Sequence, residues 1–216
     1  MRTIDVAGEV CDDQALVALT RAVAGAGRSP DTILRLRLRG DLTDPVADPS
    51  PETRRARAGD VVAPLIRALA RTPALVAACA DGRLVGTPAV LAILAHVVVL
   101  APAAELVPYA SAAPPAPGTG WLLRRVLPPS TVVDLAITGR GLTADVAQQL
   151  GVITAVAADP ARAVDERLDA VGAAGPPGPS VRLAAALAGP DRAGDLDAVI
   201  AHDVELAALW GMPCGQ

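Results

Sequence analysis

Few side chains in this sequence are equipped for chemistry. Lysine is absent, so every basic group is an arginine or one of two histidines. That excludes lysine Schiff bases and a Walker-type phosphate lysine. Cys11, Cys79 and Cys214 form no pair at metal-ligand spacing, and no metal site is expected. Cys79 lies in the apolar run Leu75 to Ala80 and reads as a small core residue. His96 sits in an apolar stretch, where a hydrogen-bonded structural imidazole is the expectation. His202, far along the chain, reads as a surface residue. The carboxylates Asp41, Asp81 and Glu105 could reach a cleft, although the sequence does not place their side chains. Tyr109 is the single tyrosine. It can donate a proton or position a substrate oxygen, and equally it can pack as a core aromatic with a bonded hydroxyl. The other reactive groups are main-chain amides. Gly86-Thr87-Pro88 opens an apolar helix, and a helix N-terminus presents free N–H groups and the positive end of a dipole. Such an end can hold an anion or a developing oxyanion.

The stretch from Thr72 to Leu100 must position these groups. Leu75 to Ala80, bounded by Pro73 and Asp81-Gly82, reads as a buried strand. Gly82 and Gly86 bracket a tight turn. A helix follows to about Ala95, with Pro88 at its start, where a missing N–H costs nothing. Val97 to Leu100 is a second buried strand. The 21 residues from Leu84 to Ala104 carry His96 as their only ionisable side chain, long enough for a membrane span. Pro88, Pro102, the β-branched run at Val97 to Val99 and the mid-segment histidine favour a buried helix–strand pair instead.

Around this stretch the chain alternates strands and helices. Met1 to Ala7 reads as an edge strand. Asp12 or Asp13 caps a helix to about Ala24, with Leu16, Leu19 and Val23 inward and a stop at Ala24-Gly25-Ala26-Gly27. Ile33 to Arg39 alternates apolar residues with arginines, a strand with one charged face. That face is either solvated and salt-bridged or attractive to phosphates. Asp44 to Pro51 reads as a loop. Glu52 to Arg71 reads as one helix with Val61, Leu65, Ile66 and Leu69 inward, and Pro64 as a source of a kink. Ala101 to Pro117 reads as irregular, and Gly118 to Leu127 as a short helix. Ser130 and Thr143 are expected caps, and Gly151 ends the helix from Ala144. Val152 to Val156 reads as a strand, and a helix from Asp159-Pro160 runs to about Val171. Gly172 to Pro179 reads as a linker, with a helical tail from Val181 to Trp210 interrupted near Gly189-Pro190.

The 216 residues are enough for one domain with a substantial core, and 52% of them are hydrophobic, which argues against disorder. A net charge of −4 gives no footprint for nucleic acid. The aromatics Tyr109, Trp121 and Trp210 are too few for a base-stacking surface. The N-terminal residues lack a basic stretch followed by an apolar one, so a cytoplasmic location is expected, with no membrane partner.

Several segments resemble the crotonase (enoyl-CoA hydratase/isomerase) superfamily. Thr138-Gly139-Arg140, Leu142-Thr143-Ala144, Ala147, Leu150-Gly151 and Val156 are similar to its "tGr…ltA.eA…lGlv..V" segment. Pro73, Ala77-Ala78, Gly82 and Gly86 match its "P-viAavnG-x-x-x-GGG" element. Arg39-Gly40-Asp41-Leu42 is similar to its "GaDl" turn, and Pro117-Gly118-Thr119-Gly120 to "pgaGG". The likeness spans about Ile33 to Ala157. It implies an α/β fold, a crotonase-like spiral of ββα units over residues 1–171. A C-terminal helical region, 180–216, would belong to the same domain and serve oligomerisation, as a homotrimer or hexamer or with a related crotonase. It also implies an acyl-CoA thioester as ligand, CoA entering as part of the substrate with no separate cofactor.

In this family two backbone N–H groups grip the thioester oxygen and stabilise an enolate. The resemblance places one donor at about Gly40 and the other at Thr87, with Gly86 and Asp41 as neighbouring substrate contacts. The sequence departs from the family where the hydratases carry two catalytic glutamates. The first position is Val90. The second is Ala110, or Tyr109 if Pro108 is aligned with the family's Pro-Glu. Hydration needs a base for water and an acid for the α-carbon, and valine and alanine can be neither. Tyr109 is then the candidate acid. The implied activity is a divergent one, dehydration or tautomerisation of a polyketide-type acyl-CoA ester. Small size and a reduced site are similar to hydratase-like proteins that accompany polyketide synthases, such as those of dihydroxyphenylglycine biosynthesis in actinobacteria. The alternative is a non-catalytic crotonase-like subunit that assembles with an active paralogue or a synthase.

Overall fold

A parallel sheet of five strands carries the architecture. The computed structural model describes residues 2–7, 12–26, 33–44, 50–110, 114–173 and 195–209. The strands are β1 (Arg2–Ala7), β2 (Ile33–Arg39), β3 (Leu75–Ala80), β5 (Val97–Leu100) and β8 (Ala155–Val156), side by side in that order and all parallel. A second sheet holds β4 (Arg83–Val85), β6 (Glu105–Val107) and β7 (Leu142–Thr143). In it β4 and β6 run parallel and β7 antiparallel to β6. Leu42 adds a bridge alongside Leu84. The chain thus steps from a long strand to a short one, through a helix, and back to the long sheet. This is the expected ββα spiral.

Period-two alternation explains how the layers form. In β3, Val76, Ala78 and Ala80 face the main core, and Leu75, Ala77 and Cys79 face a smaller cluster with Val164 and Leu168 of α8 (Pro160–Ala173). In β2, Leu34, Leu36 and Leu38 enter the main core, each burial stabilising by roughly 2 kcal/mol. The alternate arginines lie on the α8 side. Arg35 is buried there and ion-paired to Asp165, so the charged face is salt-bridged.

The first helix, α1 (Asp13–Ala26), is capped by Asp12, whose Oδ1 accepts the Ala15 N–H at 2.7 Å. Leu16, Leu19 and Val23 are buried as expected. The helix continues through Gly25, and the proposed stop at Gly27 lies outside the described residues. The helix from Pro51 to Arg71 is continuous but not uniform. It consists of α2 (Pro51–Ala56), a π segment (Arg57–Val62) and α3 (Ala63–Arg71). The Ala63 N–H donates to Ala58 O, one residue further back than in an α-helix. The wider turn takes up the ring and missing N–H of Pro64, so the proline produces a π bulge where a kink was expected.

Five other expectations are corrected. Arg83–Val85 is a strand, and Glu105–Val107 is a strand within the stretch read as irregular. The strand near residue 155 is only Ala155–Val156. The helix α6 (Pro129–Thr138) starts at Pro129, which needs no N–H partner, so Ser130 falls inside its first turn and caps nothing. Gly172 and Ala173 belong to α8, and the remainder of the proposed linker lies outside the described residues. The last helix, α9 (Leu196–Leu209), accounts for the described part of the tail. Among the described residues no helix is long and apolar enough to cross a membrane.

Candidate active site

Three chain segments meet at the C-terminal ends of β2, β4 and β6. The first leaves β2 at Gly40, which has φ +70°. It then runs beside β4: the Leu42 N–H donates to Arg83 O at 2.9 Å, and the Val85 N–H to Leu42 O at 2.8 Å. The crossing is so close that a Cβ on Gly82 would run into the Gly40 main chain. The second segment is Gly86-Thr87 at the start of α4 (Thr87–Leu94). The third is Pro108-Tyr109, carried alongside by β6, whose Val107 O accepts the Gly86 N–H at 2.8 Å. Of the residues singled out in the sequence, Gly86, Thr87 and Tyr109 lie together at the C-terminal ends of β4 and β6, whereas Gly40 and Asp41 lie beside Gly82-Arg83 at the start of β4.

The two amides expected to form an oxyanion hole are already engaged. The Gly40 N–H donates to Asp81 Oδ1 at 2.6 Å, at the surface. The Thr87 N–H donates to Asp44 Oδ2 at 2.7 Å, and the Thr87 hydroxyl donates to the same oxygen at 3.0 Å. Thr87 is fully buried and Asp44 is 5% exposed. Asp44 Oδ1 accepts from Arg57 Nη2 at 3.0 Å, and Arg57 Nε donates to Asp13 Oδ1 at 2.7 Å. Two carboxylates raise the Arg57 pKa further despite its burial. A carboxylate therefore sits where the dipole and the free N–H of a helix start attract one, and an arginine from the π segment neutralises it. The expectation of two free amides is corrected accordingly. Gly86 is required by this packing: its φ is +71°, and a Cβ would overlap the Asp44 carboxylate.

The remaining candidates have structural roles. Asp41 Oδ1 accepts the Arg83 N–H at 2.7 Å, closing the turn between β3 and β4. Glu105 Oε2 accepts from Arg83 Nε at 2.7 Å on the surface. His96 Nδ1 accepts the Val76 N–H at 3.0 Å, and the His96 main-chain N–H donates to Val76 O, as expected of a structural histidine. Val90 is buried in the first turn of α4.

Tyr109 differs from these because it faces a cavity. A space of about 850 Å³ lies between Tyr109, the first turns of α5 (Thr119–Val126) and the inner side of α9. Pro114, Pro115, Val199 and Leu206 make its walls apolar, and Trp121 lies at its edge with the Arg125 guanidinium 4.8 Å from the ring centroid. The Tyr109 hydroxyl lies against Gly120. Its pKa is pushed up to about 12, first by burial and then by the charge of Asp203, so it stays protonated at neutral pH. Asp203 enters from α9, and its Oδ2 accepts the Gly118 N–H at 2.7 Å. Burial pushes the Asp203 carboxyl up, against that bond and the nearby His202. Sequence reasoning missed Asp44, Arg57 and Asp203. No local pattern marks them, because each acts across 13 or more residues of chain: Arg57 on Asp44, Asp44 on Thr87, and Asp203 on Gly118.

Solved structures share this fold. An enoyl-CoA hydratase from Mycobacterium avium subsp. paratuberculosis K-10 superimposes with a TM-score of 0.78 at 19% identity, over 98% of this chain and 87% of that one. An enoyl-CoA hydratase from Bacillus halodurans gives 0.76 at 15% identity, over 96% and 90%. Another from Mycobacterium avium gives 0.77 at 21% identity, over 97% and 85%. The fold is that of the enoyl-CoA hydratases. No family model and no curated protein matches the chain by sequence.

Proposed function

We propose that this chain binds an acyl-CoA thioester and acts on its acyl group by dehydration or tautomerisation, in polyketide-type metabolism, without the two-glutamate route of hydration. The observation that carries the reading is the apolar cavity with a protonated Tyr109 at the C-terminal ends of the strands of a hydratase-like fold. Its largely apolar walls suit the acyl portion of a thioester, and the Tyr109 hydroxyl, with Trp121, Arg124 and Arg125, is able to donate to a substrate oxygen there. Polarising the thioester carbonyl would draw on the amide of Gly40 or that of Thr87, which lie at opposite ends of β4. The bond from Gly40 to Asp81 is exposed and exchangeable with a ligand oxygen. The bond from Thr87 to Asp44 is buried and tied to Arg57, and breaking such a pair costs about 3 kcal/mol or more.

That locked amide favours a second reading, a non-catalytic subunit that keeps the fold to assemble with an active crotonase or a synthase. Calorimetric titration with acyl-CoA esters separates the two. Binding with turnover that falls in Tyr109→Phe supports the first. Binding without turnover, or no binding with assembly onto a partner, supports the second. Turnover unaffected by Tyr109→Phe removes Tyr109 as the acid.

A further inference from the structure

The largely apolar cavity has two polar ends, set apart along α5. At the start of that helix the Gly118 N–H donates to Asp203 Oδ2 at 2.7 Å, and the Tyr109 hydroxyl lies against Gly120. Arg124 lies six residues beyond Gly118, about 9 Å further along the helix axis. Trp121, Arg124 and Arg125 are spaced i, i+3 and i+4, so one face of α5 brings all three to the cavity. The Arg125 guanidinium stands over the Trp121 ring, 4.8 Å from its centroid, which restrains where its charge sits. Among the described residues Asp203 is the one carboxylate in the cavity wall, and it is committed to Gly118 at the other end. The arginine end therefore carries a local positive charge, in a chain whose net charge is −4. A ligand that fits has a polar group near Tyr109, carbon along Pro114, Val199 and Leu206, and an anion at its far end.

We propose that Arg124 and Arg125 select an acyl thioester whose far end is a free carboxylate, the half-thioester of a dicarboxylic acid. The thioester lies toward Tyr109 and the methylenes pack on the apolar walls. The terminal carboxylate accepts charge-assisted hydrogen bonds from the two guanidinium groups, whose planar donor forks match its two oxygens. The inference rests on the acyl-thioester reading and names the substrate class for it. The arginines act as specificity residues and carry out no covalent step.

The test is calorimetric titration of the full chain with two pairs of esters, hexanoyl-CoA against adipoyl-CoA and octanoyl-CoA against suberyl-CoA. Within each pair the terminal group alone changes, from methyl to carboxylate. In at least one pair the carboxylated ester should bind about tenfold tighter, and the gain should shrink as salt is added. Arg124→Gln should cut the gain several-fold, and Arg124→Gln combined with Arg125→Gln should remove it. Both arginines are exposed on α5 and glutamine is a comparable helix former, so these variants keep the fold. A uniform loss across all four esters would mean that the arginines hold the phosphates of CoA, and it overturns the inference. Equal binding within each pair by the unmodified protein, or a gain that survives the double substitution, overturns it as well. In each of these cases the acyl-thioester reading stands. No binding of any ester is a different result and removes that reading, and this inference with it.

Discussion

Replacing Asp203 with asparagine should lower the pKa of Tyr109, and a chain with one tyrosine and no lysine is well suited to showing it. The phenol stands at about 12 against an ordinary value of 10.0. Two units correspond to about 2.7 kcal/mol, which the open mouth of the cavity reduces to roughly 1–2 kcal/mol. Burial is the first cause and the Asp203 charge the second. Removing the charge should therefore recover less than half of the shift and leave the phenol above its ordinary value. The assay is phenolate absorbance in the near ultraviolet, from about pH 9 to 13, with rapid return to neutral pH to show that the fold survived. The folded state holds this proton more tightly than the unfolded state. The associated stability is complete below about pH 10 and is lost as pH rises through about 12. Asp203→Asn should therefore soften the alkaline loss of stability. An unchanged or raised phenol pKa in Asp203→Asn would refute the argument that the two groups share a cavity.

Three further perturbations address the rest of the site. Asp44→Asn leaves Arg57 with Asp13 alone and sets an amide against donors; urea unfolding should show a loss of about 3 kcal/mol at unchanged slope, and a loss below about 1 kcal/mol would mean the pair is not buried as described. Gly40→Ala and Gly86→Ala share a positive φ but not a neighbourhood, since nothing lies near the former and the Asp44 carboxylate crowds the latter. The first should cost about 1 kcal/mol and the second at least ~3 kcal/mol, and equal costs in denaturant titrations would show that the crowding has no energetic effect. Cys79 is 4% exposed and burial pushes its thiol up, so peptide mapping after a thiol reagent at neutral pH should find it unmodified until the protein is unfolded.

What the sequence revealed followed from pattern length. Ile33 to Arg39 and Leu75 to Ala80 are long enough for alternation to mark them as strands, and Leu16, Leu19 and Val23 for helical spacing to mark a buried face. The small sheet was not visible, because β4 and β6 are three residues each and no period can be read from three. Its position still emerged from the glycines, since Gly82 and Gly86 mark close approaches of backbone to backbone and of backbone to carboxylate. The resemblance assigned donor amides to Gly40 and Thr87, but the carboxylates that hold them were not legible, because Asp44 was read as loop and Asp81 as a cleft group. The π segment was missed for a related reason: Pro64 signals trouble in a helix, but not which of a kink or a bulge relieves it.

That extra residue between Arg57 and Val62 sets the rotational phase of everything before it. In α2, Arg54 Nε donates to Ala207 O at 3.3 Å and Arg55 pairs with Glu205 at 2.6 Å. In α3, Arg67 and Arg71 hold Asp197. Both grips fall on α9, which supplies the outer wall around Asp203. Excising one residue from the bulge would swing α2 by about 100° relative to α3, and the two handholds could no longer close on the same helix. A single-residue deletion more than a hundred positions upstream would thus loosen the binding chamber without altering any group that lines it.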